Sequence, residues 1–232
     1  MKTIGLIGGM SWESSLEYYR LLNQGVKVRL GGLHNAKSLM VTVDFAEIAA
    51  LQKAGAWNEA ARVLAQAAQT LERGGADCVL ICTNTMHKVA SEVQVAVNIP
   101  LLHIADATAE KVLEHGIRTV GLLGTAFTME QGFYKGRLLE KYGLEVLTPG
   151  LEDRQTVHRI IYDELCLGRI LETSKLEYVR IMSTLVSKGA QGIILGCTEI
   201  MLLVGQDDCA VPVFDTTALH VEKAVAFVLE QG

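Results

Sequence analysis

The chain has 232 residues, half of them hydrophobic and 20% charged, and carries a formal net charge of −5. That length allows one large domain or two small ones with a real core. The acidic balance, with no dense Lys/Arg run, argues against a nucleic-acid or anionic-membrane surface, and no apolar run nears the roughly 20 residues of a membrane span.

The first predicted element is a strand over 3–8, followed by the turn Gly8-Gly9-Met10-Ser11 and a helix with Ser11 as N-cap. The opening run is too short and too broken by glycine for a signal peptide. Leu39–Val43 reads as a second strand, and a short helix follows between Asp44 and Ala54. Asn58 is the expected cap of an Ala-rich helix over about 59–73. Next come a strand over 78–82, a polar turn, a helix around 86–96, a short strand at Leu101–Ile104 and a helix over 108–115. The second half repeats the pattern: strands at 118–123, 145–147, 192–196 and 211–215, with helices around 133–139, 153–168, 173–188 and 216–230. Strands that are continuous apolar runs alternating with helices predict an α/β fold with parallel sheets covered on both faces.

Three blocks recur in order. Lys2–Gly8 matches Arg118–Gly124 at an offset of 116, Gly75-Ala76 matches Gly189-Ala190 at 114, and Ile99-Pro100-Leu101 matches Val211-Pro212-Val213 at 112. A period near 115 is far too long for a solenoid and implies two similar α/β halves. The expected domains are 1–104 plus about 211–232, and 105–210. Ligands of open parallel sheets sit beyond the carboxyl ends of the strands. The repeat therefore predicts a pseudo-two-fold cleft with Gly8–Ser11 and Thr83-Asn84-Thr85 on one wall, and Gly124-Thr125 and Cys197-Thr198-Glu199 on the other.

A pair of acid/base groups on opposite walls suits removal of a proton from one face of a carbon and its return on the other. A thiol serves when its pKa is brought down from about 8.5, and a strand end just before a helix N-terminus offers N–H groups that do this. Backbone N–H groups with the hydroxyls of Thr85, Thr125 and Thr198 are placed to hold an α-carboxylate and its enolate-like charge. The plainer readings make Cys197 a small core residue, Thr83, Asn84 and Thr85 helix caps, and His87 and His103 ordinary core or loop histidines. Cys78, Cys166 and Cys209 read as structural. The count of five cysteines, with no secretory leader, predicts free thiols in a cytoplasmic protein. Cys78-x3-Cys82 lacks a second Cys/His pair at zinc spacing, so no metal site is expected. Gly8-Gly9 lacks the Lys-Ser/Thr of a phosphate loop.

Four segments, Gly8-Gly9-Met10-Ser11, Asp44-Phe45-Ala46-Glu47-Ile48, Asn84-Thr85-Met86-His87 and Gly196-Cys197-Thr198-Glu199, together resemble the motifs of the cofactor-independent aspartate/glutamate racemase family. The resemblance covers essentially the whole chain. It implies two parallel α/β domains with pseudo-two-fold symmetry, a homodimer, an amino-acid substrate, and two thiols acting without metal or pyridoxal phosphate. This sequence departs from the family at one place, since Thr83 stands where the family has its first Cys. The internal repeat also sets Thr83, not Cys82, opposite Cys197. The expected catalytic pair is thus Thr83 and Cys197, with L to D the favoured direction because a hydroxyl is a far weaker base than a thiolate. The expected substrate contacts are Met10, Gln52, Asn84, Thr85, Thr125, Thr198 and Glu199, the last toward the ammonium group. Lys135 and Arg137 offer cations for a distal carboxylate. A broader-specificity amino-acid racemase and a non-catalytic amino-acid-binding protein are the other readings, and related sheets with a reactive Cys also support hydantoin racemisation, decarboxylation or isomerisation.

Overall fold

Strand β1 (Ile4–Gly8) is buried at every position, as a central parallel strand must be. It pairs in parallel with β2 (Ser38–Thr42) on one side and β3 (Cys78–Ile81) on the other. The computed structural model describes residues 1–230, which cluster into two compact units: Met1–Ile104 with the segment from His220 onward, and Ala105–Leu219. In the first unit the strand side chains alternate between two cores. Ile7, Val79 and Ile81 join the core beneath α2 (Phe45–Ala54) and α3 (Trp57–Arg73), where Ala60, Leu64, Ala67, Ala68 and Leu71 form the buried stripe of α3. Ile4, Leu6, Cys78, Leu80 and Cys82 join the opposite core with Tyr18, Leu22 and Val26 of α1 (Trp12–Leu30).

Two local devices set the turn after β1. Ser11 caps α1, its hydroxyl accepting from Ser14 N at 3.3 Å. Gly9 has φ +91°, and a Cβ there would lie 2.1 Å from the Val43 carbonyl oxygen, so only glycine fits. A 3-10 turn (Thr85–Val89) and α4 (Ala90–Val95) follow β3.

The second unit begins within α5 (Ile104–Glu114) and contains β4 (Thr119–Gly124), α6 (Ala126–Glu130), α7 (Gly132–Tyr142), β5 (Glu145–Leu147), α8 (Leu151–Asp163), α9 (Glu172–Ser187), β6 (Ile193–Gly196) and β7 (Val213–Asp215). Its parallel sheet has the order β5-β4-β6-β7. The last helix, α10 (Thr216–Leu229), starts on this unit, where Thr216 Oγ1 donates to the Leu195 carbonyl at 2.8 Å, and buries Val221, Ala224, Val225 and Val228 in the core of the first.

The repeat seen in the sequence is a repeat of register. Gly5 opposes Val79 in one sheet and Gly121 opposes Ile193 in the other. Val79 bridges to Leu101, as Ile193 pairs with Val213. The helices after these fourth positions, α5 and α10, start 112 residues apart at Ile104 and Thr216. Each helix leaves the half that precedes it in sequence and joins the other unit. This explains where the observed division departs from the expected one. Because β7 hydrogen-bonds to β6, residues 211–219 stay with the second unit, and the chain returns to the first at His220.

Other differences are local. Leu101–Ile104 supplies only a single bridge residue, because the chain turns at once into α5. Asn58 lies inside α3, whose N-cap is Ala56 with no side-chain cap. The helix expected over 86–96 is split into the 3-10 turn and α4, with Val89 at φ −109° and ψ 20° between them. Among the described residues no helix is long and apolar enough to cross a membrane.

Burial of His220 has a measurable consequence. Its Nε2–H donates to the Leu102 carbonyl at 2.7 Å and its Nδ1 accepts from the Tyr18 hydroxyl at 2.8 Å, so both nitrogens are used by the neutral ring. Desolvation, chiefly, pushes its pKa down from 6.5 to about 4. The unfolded chain therefore binds the proton first. Stability from this residue is complete above pH 6.5 and is lost as pH falls toward 4, by on the order of 3 kcal/mol. Calorimetry at pH 7 and pH 4.5 is expected to show a Tm drop smaller by roughly 5–10 °C in His220→Gln than in the parent. Equal drops would dismiss His220 as the cause.

Candidate active site

The carboxyl ends of β1 and β3 adjoin in the first unit, because Ile7 opposes Ile81 and the chains then turn through Gly8-Gly9-Met10 and Cys82-Thr83-Asn84. Thr83 is buried to 9% exposure, and Asn84, Thr85 and Met86 are buried behind it. The turn is held from both sides. Ser14 Oγ donates to the Cys82 carbonyl at 2.7 Å, and His87 lies 2.8 Å through Nδ1 from the Thr83 carbonyl. Since Ile104 N–H donates to His87 Nε2 at 3.2 Å, the imidazole carries its hydrogen on Nδ1 and donates it to Thr83. Gln52, at the end of α2, is buried and places its amide nitrogen 3.1 Å from Met86 Sδ; Met10 belongs to the same core. Sequence spacing alone separates Met10, Gln52 and Thr83-Asn84-Thr85, and the first unit gathers them around one sheet edge.

Cys82 faces the other way. Its side chain is wholly buried in the core under α1 with Tyr18 and Leu22, and burial pushes its thiol far up. Cys82→Ala is expected to cost about 1–2 kcal/mol of stability, read by urea denaturation, and to leave α-proton exchange intact. Loss of that exchange would mean that the register expected from the sequence, with Thr83 rather than Cys82 as the counterpart of Cys197, is wrong.

In the second unit the equivalent edge is made by β4 and β6, where Gly124 opposes Gly196. Both residues must be glycine here: a Cβ on Gly124 would sit 2.8 Å from the Gly196 carbonyl, and one on Gly196 would sit 2.8 Å from the Leu123 carbonyl. Thr125 and Cys197 are the next residues along each chain. Thr125 caps α6, its hydroxyl accepting from Thr128 N at 3.3 Å and lying 3.2 Å from the Thr128 hydroxyl. Cys197 is 8% exposed and Glu199 is 2% exposed. The Cys197 thiol donates to Glu199 Oε2 at 2.9 Å, and the Thr198 hydroxyl donates to the same oxygen at 2.8 Å.

The electrostatics of this edge differ from the sequence expectation. Desolvation and then the Glu199 carboxylate push the Cys197 thiol well above its ordinary value, against a smaller opposing contribution from the Glu199 backbone N–H. The helix that follows is only the three-residue 3-10 turn Ile200–Leu202, too short to offset burial. Tyr162 on α8 and Tyr178 on α9 feel the charges of Cys197 and Glu199, and burial holds both phenols neutral. Neither tyrosine was legible in the sequence, because they reach β6 from helices about 20–35 residues upstream. Arg137 forms a two-point pair with Asp106 at 2.5 and 2.8 Å, and Lys141 adds a third contact at 2.8 Å. Arg137 therefore ties α7 to α5.

The sequence pattern of the Asp/Glu/hydantoin racemases matches residues 7–224. The chain belongs to the Asp/Glu/hydantoin racemase family. This family member is 57% identical to a candidate Asp/Glu racemase from Yersinia pestis, with a TM-score of 0.93 over 99% of this chain and 100% of that one. It is 38% identical to an aspartate racemase homologue from Pyrococcus horikoshii OT3, with a TM-score of 0.86 over 99% and 100% of the two chains. A broad-specificity amino-acid racemase from Bacillus subtilis (strain 168) is 25% identical over 176 residues, covering 74% of each chain. The two parallel α/β units are thus those of a racemase-family isomerase.

Proposed function

We propose that this protein is an amino-acid racemase that interconverts L- and D-aspartate or glutamate without a cofactor, with Cys197 and Thr83 as its unequal acid/base pair. The observation that carries the reading is the matched register of the two sheets. It sets a thiol at the end of β6 and a hydroxyl at the equivalent end of β3. Cys197 takes the α-proton of the L-isomer. The electron pair left on the α-carbon spreads into the carboxylate as an enolate-like dianion, which N–H groups and hydroxyls from Met10, Asn84, Thr85, Thr125 and Thr198 are suited to hold. A proton returns on the opposite face from the Thr83 hydroxyl or a water beside it. Gln52 and Glu199 complete the proposed substrate surroundings.

Enantiomers have equal free energies, so kcat/KM is the same in both directions. The preference for L to D appears instead in kcat and in which step limits each direction. The test is proton NMR of L- and D-aspartate, L- and D-glutamate and a basic amino acid in heavy water. Loss of the α-proton signal from the acidic amino acids is expected; no loss from any of them would refute the racemase reading. Loss from the basic amino acid as well would favour broad specificity, the second reading, which the Bacillus subtilis relative supports. Homodimerisation and a cytoplasmic location complete the proposal; sedimentation at micromolar concentration tests the former, and the absence of a disulfide among the five cysteines supports the latter.

A further inference from the structure

The two strand-end turns are held in different ways. At the end of β6 the Cys197 carbonyl accepts from the backbone N–H of Ile200 at 3.2 Å. At the end of β3 the Thr83 carbonyl accepts from a side chain, the Nδ1–H of His87, at 2.8 Å. The repeat offset of 114 sets Met201 opposite His87, and each lies in the 3-10 turn that follows its strand. A methionine has no hydrogen to donate, so the imidazole belongs to the Thr83 turn and not to the Cys197 turn.

His87 is itself fixed. It is buried, its Nε2 accepts from Ile104 N–H at 3.2 Å where the chain enters α5, and its ring centroid lies 4.6 Å from that of His103 and 5.7 Å from that of His220. Building on the racemase reading, we propose that His87 is the positioning residue of the Thr83 side: its neutral ring, with the hydrogen on Nδ1, ties the Thr83 carbonyl to the start of α5 and so aims the Thr83 hydroxyl at the α-carbon.

The direction of a carbonyl fixes ψ of its residue, and with it the bond that carries the side chain. On the amino side of Thr83 the backbone is tied independently, by Thr83 N–H to the Ile81 carbonyl at 2.9 Å and by the Ser14 hydroxyl to the Cys82 carbonyl at 2.7 Å. Removing the imidazole therefore frees only the carboxyl side of the residue. Proton transfer needs the heavy atoms within roughly 2.6–3.2 Å, and an error of about 1 Å costs on the order of 10²-fold. The Cys197 turn keeps its own backbone bond, so the loss falls on one of the two proton transfers. Because kcat/KM drops equally in both directions of a racemisation, a reporter of each side by itself is needed. The enantiomers of 3-chloroaspartate supply one. Once the α-proton has gone to the enzyme, the Cα–H electron pair forms a Cα–Cβ double bond and the C–Cl bond breaks. Chloride leaves, and water hydrolyses the enamine to ammonia and oxaloacetate. No proton need return from the opposite wall.

The experiment compares the parent with His87→Leu and His87→Asn, the fold of each checked by circular dichroism. His87→Leu is expected to lower racemisation of glutamate, and chloride release from D-3-chloroaspartate, by about tenfold or more, while release from the L enantiomer changes by less than about twofold. An asparagine amide can place an N–H where Nδ1–H stood, so His87→Asn is expected to recover racemisation to within about threefold of the parent. Racemisation unchanged in His87→Leu, release from the two enantiomers falling together, or an Asn variant no better than Leu would each overturn the proposal. Nitrogen NMR of the parent with labelled histidine at pH 7 decides even if the Leu variant does not fold. A neutral His87 with its hydrogen on Nδ1 is expected, and a hydrogen on Nε2 refutes the assignment. The two levels separate cleanly. A parent that exchanges the α-proton of no acidic amino acid sinks the racemase reading, whereas an active parent with an unaffected Leu variant sinks only the role of His87.

Discussion

Cys197→Ser is expected to lower racemisation and α-deuterium exchange together by roughly 10³-fold or more. A serine hydroxyl keeps the shape of the side chain and its hydrogen bond to Glu199 Oε2, now from an oxygen donor. The fold is therefore expected to hold within about 1 kcal/mol, since the exchange replaces one small buried donor by another. What is lost is acidity. An alcohol in this apolar setting gives up its proton far less readily than a thiol, even beside a carboxylate. Circular dichroism and urea denaturation verify the fold, and proton NMR in heavy water reads the chemistry. Full activity in the serine variant would remove Cys197 from the mechanism.

Thr83→Cys is expected to raise kcat/KM by about 10²-fold, equally in both directions, because both cross the proton transfer at residue 83 that the hydroxyl makes slow. The turn around residue 83 is fixed by backbone contacts that the substitution does not touch: Thr83 N–H donates to the Ile81 carbonyl at 2.9 Å, and His87 donates to the Thr83 carbonyl at 2.8 Å. Isotope effects separate this from a general gain. In the parent, α-deuterated D-substrate is expected to react with a full primary isotope effect, since its C–H bond breaks on the slow Thr83 side. α-Deuterated L-substrate is expected to show a small one, because its proton leaves to Cys197 before the limiting step. In Thr83→Cys the two effects are expected to converge. An unchanged D-to-L rate with unchanged isotope effects would mean that Thr83 does not handle the proton.

Much of this molecule was legible in its sequence, for reasons that can be named residue by residue. Parallel strands covered on both faces need apolar runs such as Cys78–Ile81 and Ile193–Gly196. The turns beyond them need glycine where the backbone is crowded, as at Gly9. Those two demands recur once per half, so the repeat exposed the two similar halves and the paired strand ends. The same demands fixed Thr83 and Cys197 as equivalent positions, because register in a buried parallel sheet does not slip without turning every side chain to the wrong core. The division of the chain was less legible. The repeat places 211–213 opposite 99–101, but only the hydrogen bonds of β7 to β6 assign the segment to the second unit, and only the burial of Val221, Ala224 and Val225 brings α10 back to the first.

Sequence by itself determined the fold class, the two halves and the identity of the groups at the strand ends, because these follow from local patterns of burial and backbone strain. The ionisation of those groups was decided by tertiary structure alone. A thiol before a turn reads as activated by N–H dipoles; packed against Tyr178 and Ile200 with a carboxylate on its hydrogen, it is pushed upward instead. Desolvation depends on what the rest of the chain brings to the site, and that is set by α8 and α9 folding over β6, not by the residues adjoining Cys197.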